Sequence, residues 1–217
     1  MIEPSQSEPA RLSVDEYLRR ELDARDRGSK VGFEYVAGET YAMSPVSPRH
    51  DRIVFNIRRH LDDVVRAKSC QMLGDVLTRV AGDRYYYPDV VITCAPLRND
   101  IVVAPCFVVE VTSPATRATD YREKPPAYRD CASVQGVLIV EQKRRLVTLH
   151  RRIDGHAWSR MEFSGDDALA VPCIDTRLTL DQIYETLEFP IHVREGDEFT
   201  PEEYGGEWVL VPAERIS

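Results

Sequence analysis

Phe107-Val108-Val109-Glu110-Val111-Thr112-Ser113 is a run of mostly β-branched apolar residues interrupted by one carboxylate. A second string of the same kind, Tyr87-Pro88-Asp89-Val90-Val91-Ile92, precedes it, and the two acids lie twenty-one positions apart. Strands this rich in Val and Ile are usually covered on both faces. An ionised acid inside such a strand is costly unless it is paired or binds a cation. Two acids on neighbouring strands make a hard oxygen site of the kind Mg²⁺ or Mn²⁺ prefers. A divalent ion also removes the repulsion that would keep one of the two protonated.

Around these strings the pattern is strand, strand, helix, strand. Strands are expected at about 70–80, 86–94 and 105–113, then a helix over roughly 118–131, introduced by Thr119 or Asp120. Gly136-Val137-Leu138-Ile139-Val140-Glu141 reads as another buried strand. A loop of about ten residues makes the first acidic pair a plausible hairpin, and the crossover places 105–113 beside 136–141 in parallel. An α/β fold with a mixed sheet flanked by helices follows.

Outward from this centre, Ser13 caps a helix, with Glu16 completing a capping box, that runs to about Arg27 before Gly28. Phe33-Glu34-Tyr35-Val36 and Thr40-Tyr41-Ala42-Met43 form an N-terminal hairpin across Ala37-Gly38. Ile53, Ile57, Leu61, Val64 and Val65 recur at helical spacing, so residues 48–67 are an amphipathic helix. Two antiparallel strands flank the turn at Asp154-Gly155, and residues 178–187 read as a short helix. The organisation is a flexible stretch at 1–12, one domain over 13–187 and an acidic C-terminal arm over 188–217.

The chain of 217 residues has a net charge of −8, unevenly spread. Residues 48–160 hold 19 basic against 13 acidic groups, whereas 185–217 hold 2 against 9. A basic centre suits a polyanionic partner, though a mixed solvated surface beside an acidic tail accounts for the same count. The tail could also cover the basic face and restrain binding. No run is long and apolar enough for a membrane span, and the polar N-terminus lacks a signal core, so a cytoplasmic location without membrane association is expected. Five widely spaced cysteines with no Cys-x-x-Cys pair indicate neither a zinc site nor a disulfide frame; they read as buried thiols.

Pro88-Asp89 followed by Glu110 in a hydrophobic strand resembles the PD-(D/E)XK nuclease superfamily. The strings Glu34-Tyr35-Val36-Ala37-Gly38-Glu39, Met43-Ser44-Pro45 with His50, Pro88-Asp89-Val90-Val91 and Glu110-Val111-Thr112-Ser113-Pro114 narrow it. With Asp120, Lys124 and Tyr128 they resemble the Uma-two family of bacterial restriction-endonuclease-like proteins, over about residues 13–187. The resemblance implies a restriction-endonuclease-like core with DNA as partner, and a dimer is reasonable for such a nuclease. It implies Mg²⁺ (or Mn²⁺) held by Asp89, Glu110 and the Val111 carbonyl, with Glu34 and Lys124 as further catalytic groups. Lys124 would orient water and stabilise the phosphate charge. His50, Arg49, Arg52 and Arg117 are the candidate nucleic-acid contacts, although a structural histidine and a solvated helix face explain the first three as well. Thr112 stands where the superfamily has its lysine, and Pro125-Pro126 after Lys124 disfavour helical backbone there. The alternative is therefore a catalytically degraded fold that binds nucleic acid or protein.

Overall fold

The computed structural model of the chain describes residues 11–29, 31–43, 45–98, 101–112, 122–165 and 167–189, and the backbone of 192–194 and 209–211. Helix α1 (Val14–Asp26) leads into β1 (Phe33–Val36), β2 (Glu39–Ala42) and helix α2 (Pro48–Ala67). Strands β3 (Gln71–Leu73), β4 (Thr78–Arg79), β5 (Arg84–Tyr86), β6 (Val90–Thr93) and β7 (Phe107–Thr112) follow. Next come α3 (Lys124–Asp130), β8 (Gly136–Glu141), β9 (Val147–Arg152) and β10 (Trp158–Phe163). The body closes with β11 (Ala168–Val171), a 3-10 turn at Pro172–Ile174, β12 (Thr176–Thr179) and α4 (Leu180–Ile183). Last, β13 (His192–Arg194) and β14 (Val209–Val211) pair in parallel.

Six strands form the central mixed sheet in the order β10-β9-β8-β7-β6-β3. β7 and β8 are parallel, joined by the crossover through α3, and β6 and β7 are antiparallel. Every residue of β7 and β8 is buried, because both faces are covered. On one face, Ile53, Ile57, Leu61 and Val65 of α2 pack against Val90, Ile92, Val109 and Leu138, joined by Leu178 and Ile183. On the other, Ala127 and Tyr128 of α3 pack on Val91, Val108, Val137 and Ile139. Glu110 alternates with Val109 and Val111, so it shares this second face with Val108 and Thr112.

The expected strands at 70–80 and 86–94 are each broken in two. β3 and β6 pair in the central sheet, whereas β4 and β5 belong to a second sheet of order β2-β1-β5-β4. Pro88 has no N–H to offer a ladder, and Asp75 takes a left-handed φ of 52° while its N–H donates to Pro88 O at 3.1 Å. The ribbon bends there, and the bend presents Asp89 at the end of β6. A Cβ at Gly74 would stand 2.8 Å from Asp89 O, so only glycine permits this approach.

The N-terminal hairpin turns through Ala37 and Gly38, both at positive φ (51° and 98°), as the strand twist demands. Ser13 caps α1 by accepting from the Glu16 N–H at 3.3 Å, while the Glu16 carboxylate pairs with Arg20. Three further expectations need correction. The helix foreseen over 178–187 is confined to a single turn at Leu180–Ile183, because Leu178 and Thr179 complete β12. The prolines after Lys124 do not exclude helix: they occupy the first turn of α3, where an N–H is not needed. The Thr119 or Asp120 cap lies outside the described residues. Finally, Cys70–Cys94 and Cys106–Cys173 are disulfides, with Cα–Cα distances of 4.1 and 6.0 Å, and only Cys131 is free. The pairing of Gln71 with Thr93 sets Cys70 opposite Cys94, which no sequence spacing announces.

Candidate active site

Three segments converge at the end of β7 where Asp89 enters. Val90 pairs with Val109, so the register continued by one step sets Asp89 opposite Glu110. The Asp89 carboxylate is held in place from two sides. Its Oδ2 accepts the Val111 N–H at 2.6 Å, and its Oδ1 lies 3.1 Å from His50 Nε2. His50 reaches this point because α2 begins there, capped by Ser47, whose hydroxyl accepts the His50 N–H at 3.1 Å. The same Ser47 hydroxyl donates to Gln142 Oε1 at 2.7 Å, and Gln142 Nε2 donates to Thr112 O at 2.7 Å. The start of α2 is thus tied to the ends of β7 and β8.

On the α3 face of the sheet, Glu110 is buried at 3% exposure and Lys124 at 7%. Lys124 Nζ lies 3.2 Å from Glu110 Oε2 and 3.0 Å from Glu34 Oε1. The other oxygen of Glu110 accepts the Tyr128 hydroxyl at 2.5 Å. Glu34 is positioned by the first hairpin, and its Oε1 also accepts the Tyr87 N–H at 3.2 Å. Lys124 further stands 5.6 Å from the centre of the Tyr86 ring, within reach of a cation–π attraction. A buried ammonium gripped by two carboxylates is tolerable only because the charges are paired, and removing one partner typically costs about 3–5 kcal/mol.

This environment holds the surrounding phenols neutral. Tyr128 is pushed well above the ordinary tyrosine range, chiefly by burial and then by the Glu110 charge and hydrogen bond. Tyr86 is raised to about 12, first by burial and then by Glu34. Asp75 is also raised, by burial and then by the nearby Asp89 charge, while His50 and Arg58 oppose the shift.

Asp89, Glu110, Lys124, Glu34 and His50 are therefore brought together. The arginines behave differently. Arg49 Nε donates to Gln142 O at 2.6 Å, a second contact runs to Glu188 O, and the guanidinium covers the Phe189 ring at 4.5 Å. It fastens the segment after α4 to α2. Arg52 lies on exposed α2 surface, 5.5 Å from the Phe55 ring centre. Arg117 lies outside the described residues. Gln142 and the Ser47 hydroxyl were not foreseen, since their meeting spans 95 residues of chain. Tyr128 was part of the family resemblance without a role; its signal is its place four residues after Lys124, on the same side of α3.

The model of the Uma2 family, described as "Putative restriction endonuclease", matches residues 14–182. The chain belongs to the Uma2 family. That span includes every residue of the constellation and ends before the acidic arm. Among relatives, the uncharacterized protein slr1290 of Synechocystis is 29% identical over 195 residues, covering 87% of this chain and all of that one. A second Synechocystis protein, sll1609, also uncharacterized, is 27% identical over 164 residues, or 72% of this chain and 90% of its own. In three dimensions the chain is similar to a crystal structure of "a putative nuclease belonging to DUF820" from Anabaena variabilis. The TM-score is 0.66 at 16% identity, over 79% of this chain and 97% of that one, so the restriction-endonuclease-like fold is shared.

Among the described residues no group of three or more His, Cys, Asp or Glu side chains is gathered as a ready metal cage. Two carboxylates opposite each other in the register nevertheless fit Mg²⁺, which is commonly held by one or two carboxylates together with substrate phosphates. A residue's N–H and C=O leave a strand on the same side, so the Val111 carbonyl faces the Asp89 end of β6 as its N–H does.

Proposed function

We propose that this Uma2 protein is a metal-dependent nuclease that hydrolyses phosphodiester bonds in DNA. The observation that carries the reading is the position of Lys124 Nζ between Glu34 and Glu110, at 3.0 and 3.2 Å, with Asp89 opposite Glu110 in the continued β6–β7 register. Asp89, Glu110 and the Val111 carbonyl would hold Mg²⁺ or Mn²⁺, which supplies Lewis acidity and an activated water. Lys124 donates to the attacking water or to the phosphate oxygens as negative charge builds on them. Glu34 keeps the ammonium in place. His50 and the Val111 N–H fix the rotamer of Asp89. Thr112, where the superfamily has its lysine, donates at 3.3 Å to Glu141 and leaves the cationic role to Lys124.

The test is Mg²⁺- and Mn²⁺-dependent cleavage of plasmid and single-stranded DNA by wild type, Asp89→Asn and Lys124→Met. Loss of cleavage in both variants with an unchanged melting temperature for Asp89→Asn supports the assignment; normal cleavage by both refutes it.

A second reading is a binding module without turnover. It is favoured by the engagement of both Glu110 oxygens, one by Tyr128 and one by Lys124, so that a cation must compete for them. Calorimetric titration of Mn²⁺ into wild type and Asp89→Ala separates the two. Heat present in the first and absent from the second favours the enzyme, whereas salt-dependent DNA binding with no metal-dependent cleavage favours the module.

A further inference from the structure

A cavity of about 580 Å³ lies between α3, from Pro126 to Asp130, and the β9–β10 turn. Its walls include Arg129, Asp130, Arg152, Gly155, His156 and Trp158. The acid on this wall, Asp130, is turned to Arg84 at 3.4 Å. Arg152 is locked in place. Its guanidinium donates to four backbone carbonyls, those of Val134, Gly155, Arg129 and Cys131, at 2.8, 2.5, 3.1 and 2.8 Å. It also stacks on Trp158 at 4.5 Å, so the indole is fixed as a wall of the cavity. Among the described residues no carboxylate neutralises Arg129, Arg152 or His156. The surroundings are cationic as well: burial first, then the charges of Arg129 and Arg160, lower His150 to about 4.

We propose that this cavity is a phosphate-ester subsite in which Arg129 and His156 contact the anion and Trp158 packs against the attached sugar or base. Guanidinium is suited to phosphate because its donors form a planar fork, and a cation without a carboxylate partner retains its full attraction for an anion. Nucleic-acid ligands often pair such cations with an aromatic face. α3 carries Lys124 at its first residue and borders this cavity through Pro126, Arg129 and Asp130, so a strand crossing the candidate active site would continue into it. That continuation rests on the nuclease reading; occupancy of the cavity by a phosphate ester does not.

The experiment is calorimetric titration, in EDTA, of inorganic phosphate, thymidine monophosphate and a short oligothymidylate into the full chain. Wild type, Asp89→Asn and the double variant Arg129→Ala/His156→Ala are compared. Both substituted side chains lie at the surface of the cavity, and a thermal melt confirms that the double variant is folded. Saturable binding to wild type and Asp89→Asn alike, weakened about tenfold or more in the double variant, is expected. Tighter binding of the oligonucleotide than of the mononucleotide identifies a strand as the source of the phosphate; equal affinities identify a free nucleotide. The proposal is overturned if no probe binds saturably, or if the double variant binds as wild type does. Neither result depends on whether Asp89 supports cleavage, so the two proposals fail separately.

Discussion

The Tyr128 hydroxyl donates to Glu110 Oε1 at 2.5 Å, and both residues are buried beneath α3. This contact fixes the carboxylate on one side while Lys124 fixes it on the other, so Glu110 is oriented before any ligand arrives. A hydrogen bond to a buried charged group contributes about 1.5–3 kcal/mol. Tyr128→Phe is expected to lower the unfolding free energy by that amount, measured in urea.

The same phenol makes the fold alkali-sensitive. Its pKa is raised on folding, as are those of Tyr17, Tyr86 and Tyr87, in each case first by burial. Below the unfolded value of about 10 the native state keeps its full advantage. Above that value the unfolded chain loses protons that the native state retains, so stability falls as pH rises. Denaturation followed from pH 9 upward should show this decline, with a shallower slope in Tyr128→Phe.

His150 acts at the other end of the scale. Its ring is buried on β9, neither nitrogen has a hydrogen-bond partner among the described residues, and its pKa is lowered to about 4. The unfolded chain takes up the proton at about 6.5 while the native state refuses it, so stability is complete above that pH and lost as pH falls toward 4. His150→Phe should remove a destabilisation on the order of 3 kcal/mol between these limits, read from melts at pH 7 and pH 4.5.

Gly74 bears on the candidate site through space alone. An alanine Cβ there would meet Asp89 O at 2.8 Å and Arg58 Nη1 at 3.3 Å. Gly74→Ala is expected to cost about 1–3 kcal/mol and to displace Asp89. Mn²⁺ affinity should therefore fall by more than the loss of stability explains. An unchanged metal affinity would show that the Gly74 approach does not position the carboxylate.

The disulfides can be counted directly. Thiol titration of the denatured, non-reduced protein should find one free thiol of five, Cys131, and reduction should release the other four. Because the cross-links join residues 24 and 67 positions apart, their reduction should lower stability by about 2–4 kcal/mol per bridge.

What the sequence determined by itself is whatever depends on near neighbours. The apolar stripe of α2, the Ser13 cap, the Ala37-Gly38 turn and the buried runs of β7 and β8 are all written within a few residues of one another. They establish an α/β fold with Asp89 and Glu110 side by side. Tertiary structure decided the rest. The ribbon splits between two sheets at Gly74 and Pro88 because one backbone there crowds another, which periodicity does not register. Lys124 finds Glu34 across ninety positions, and Cys106 finds Cys173 across 67, through sheet register and helix placement. Local propensities act over one or two turns of chain, whereas these contacts exist only after every intervening element has been packed.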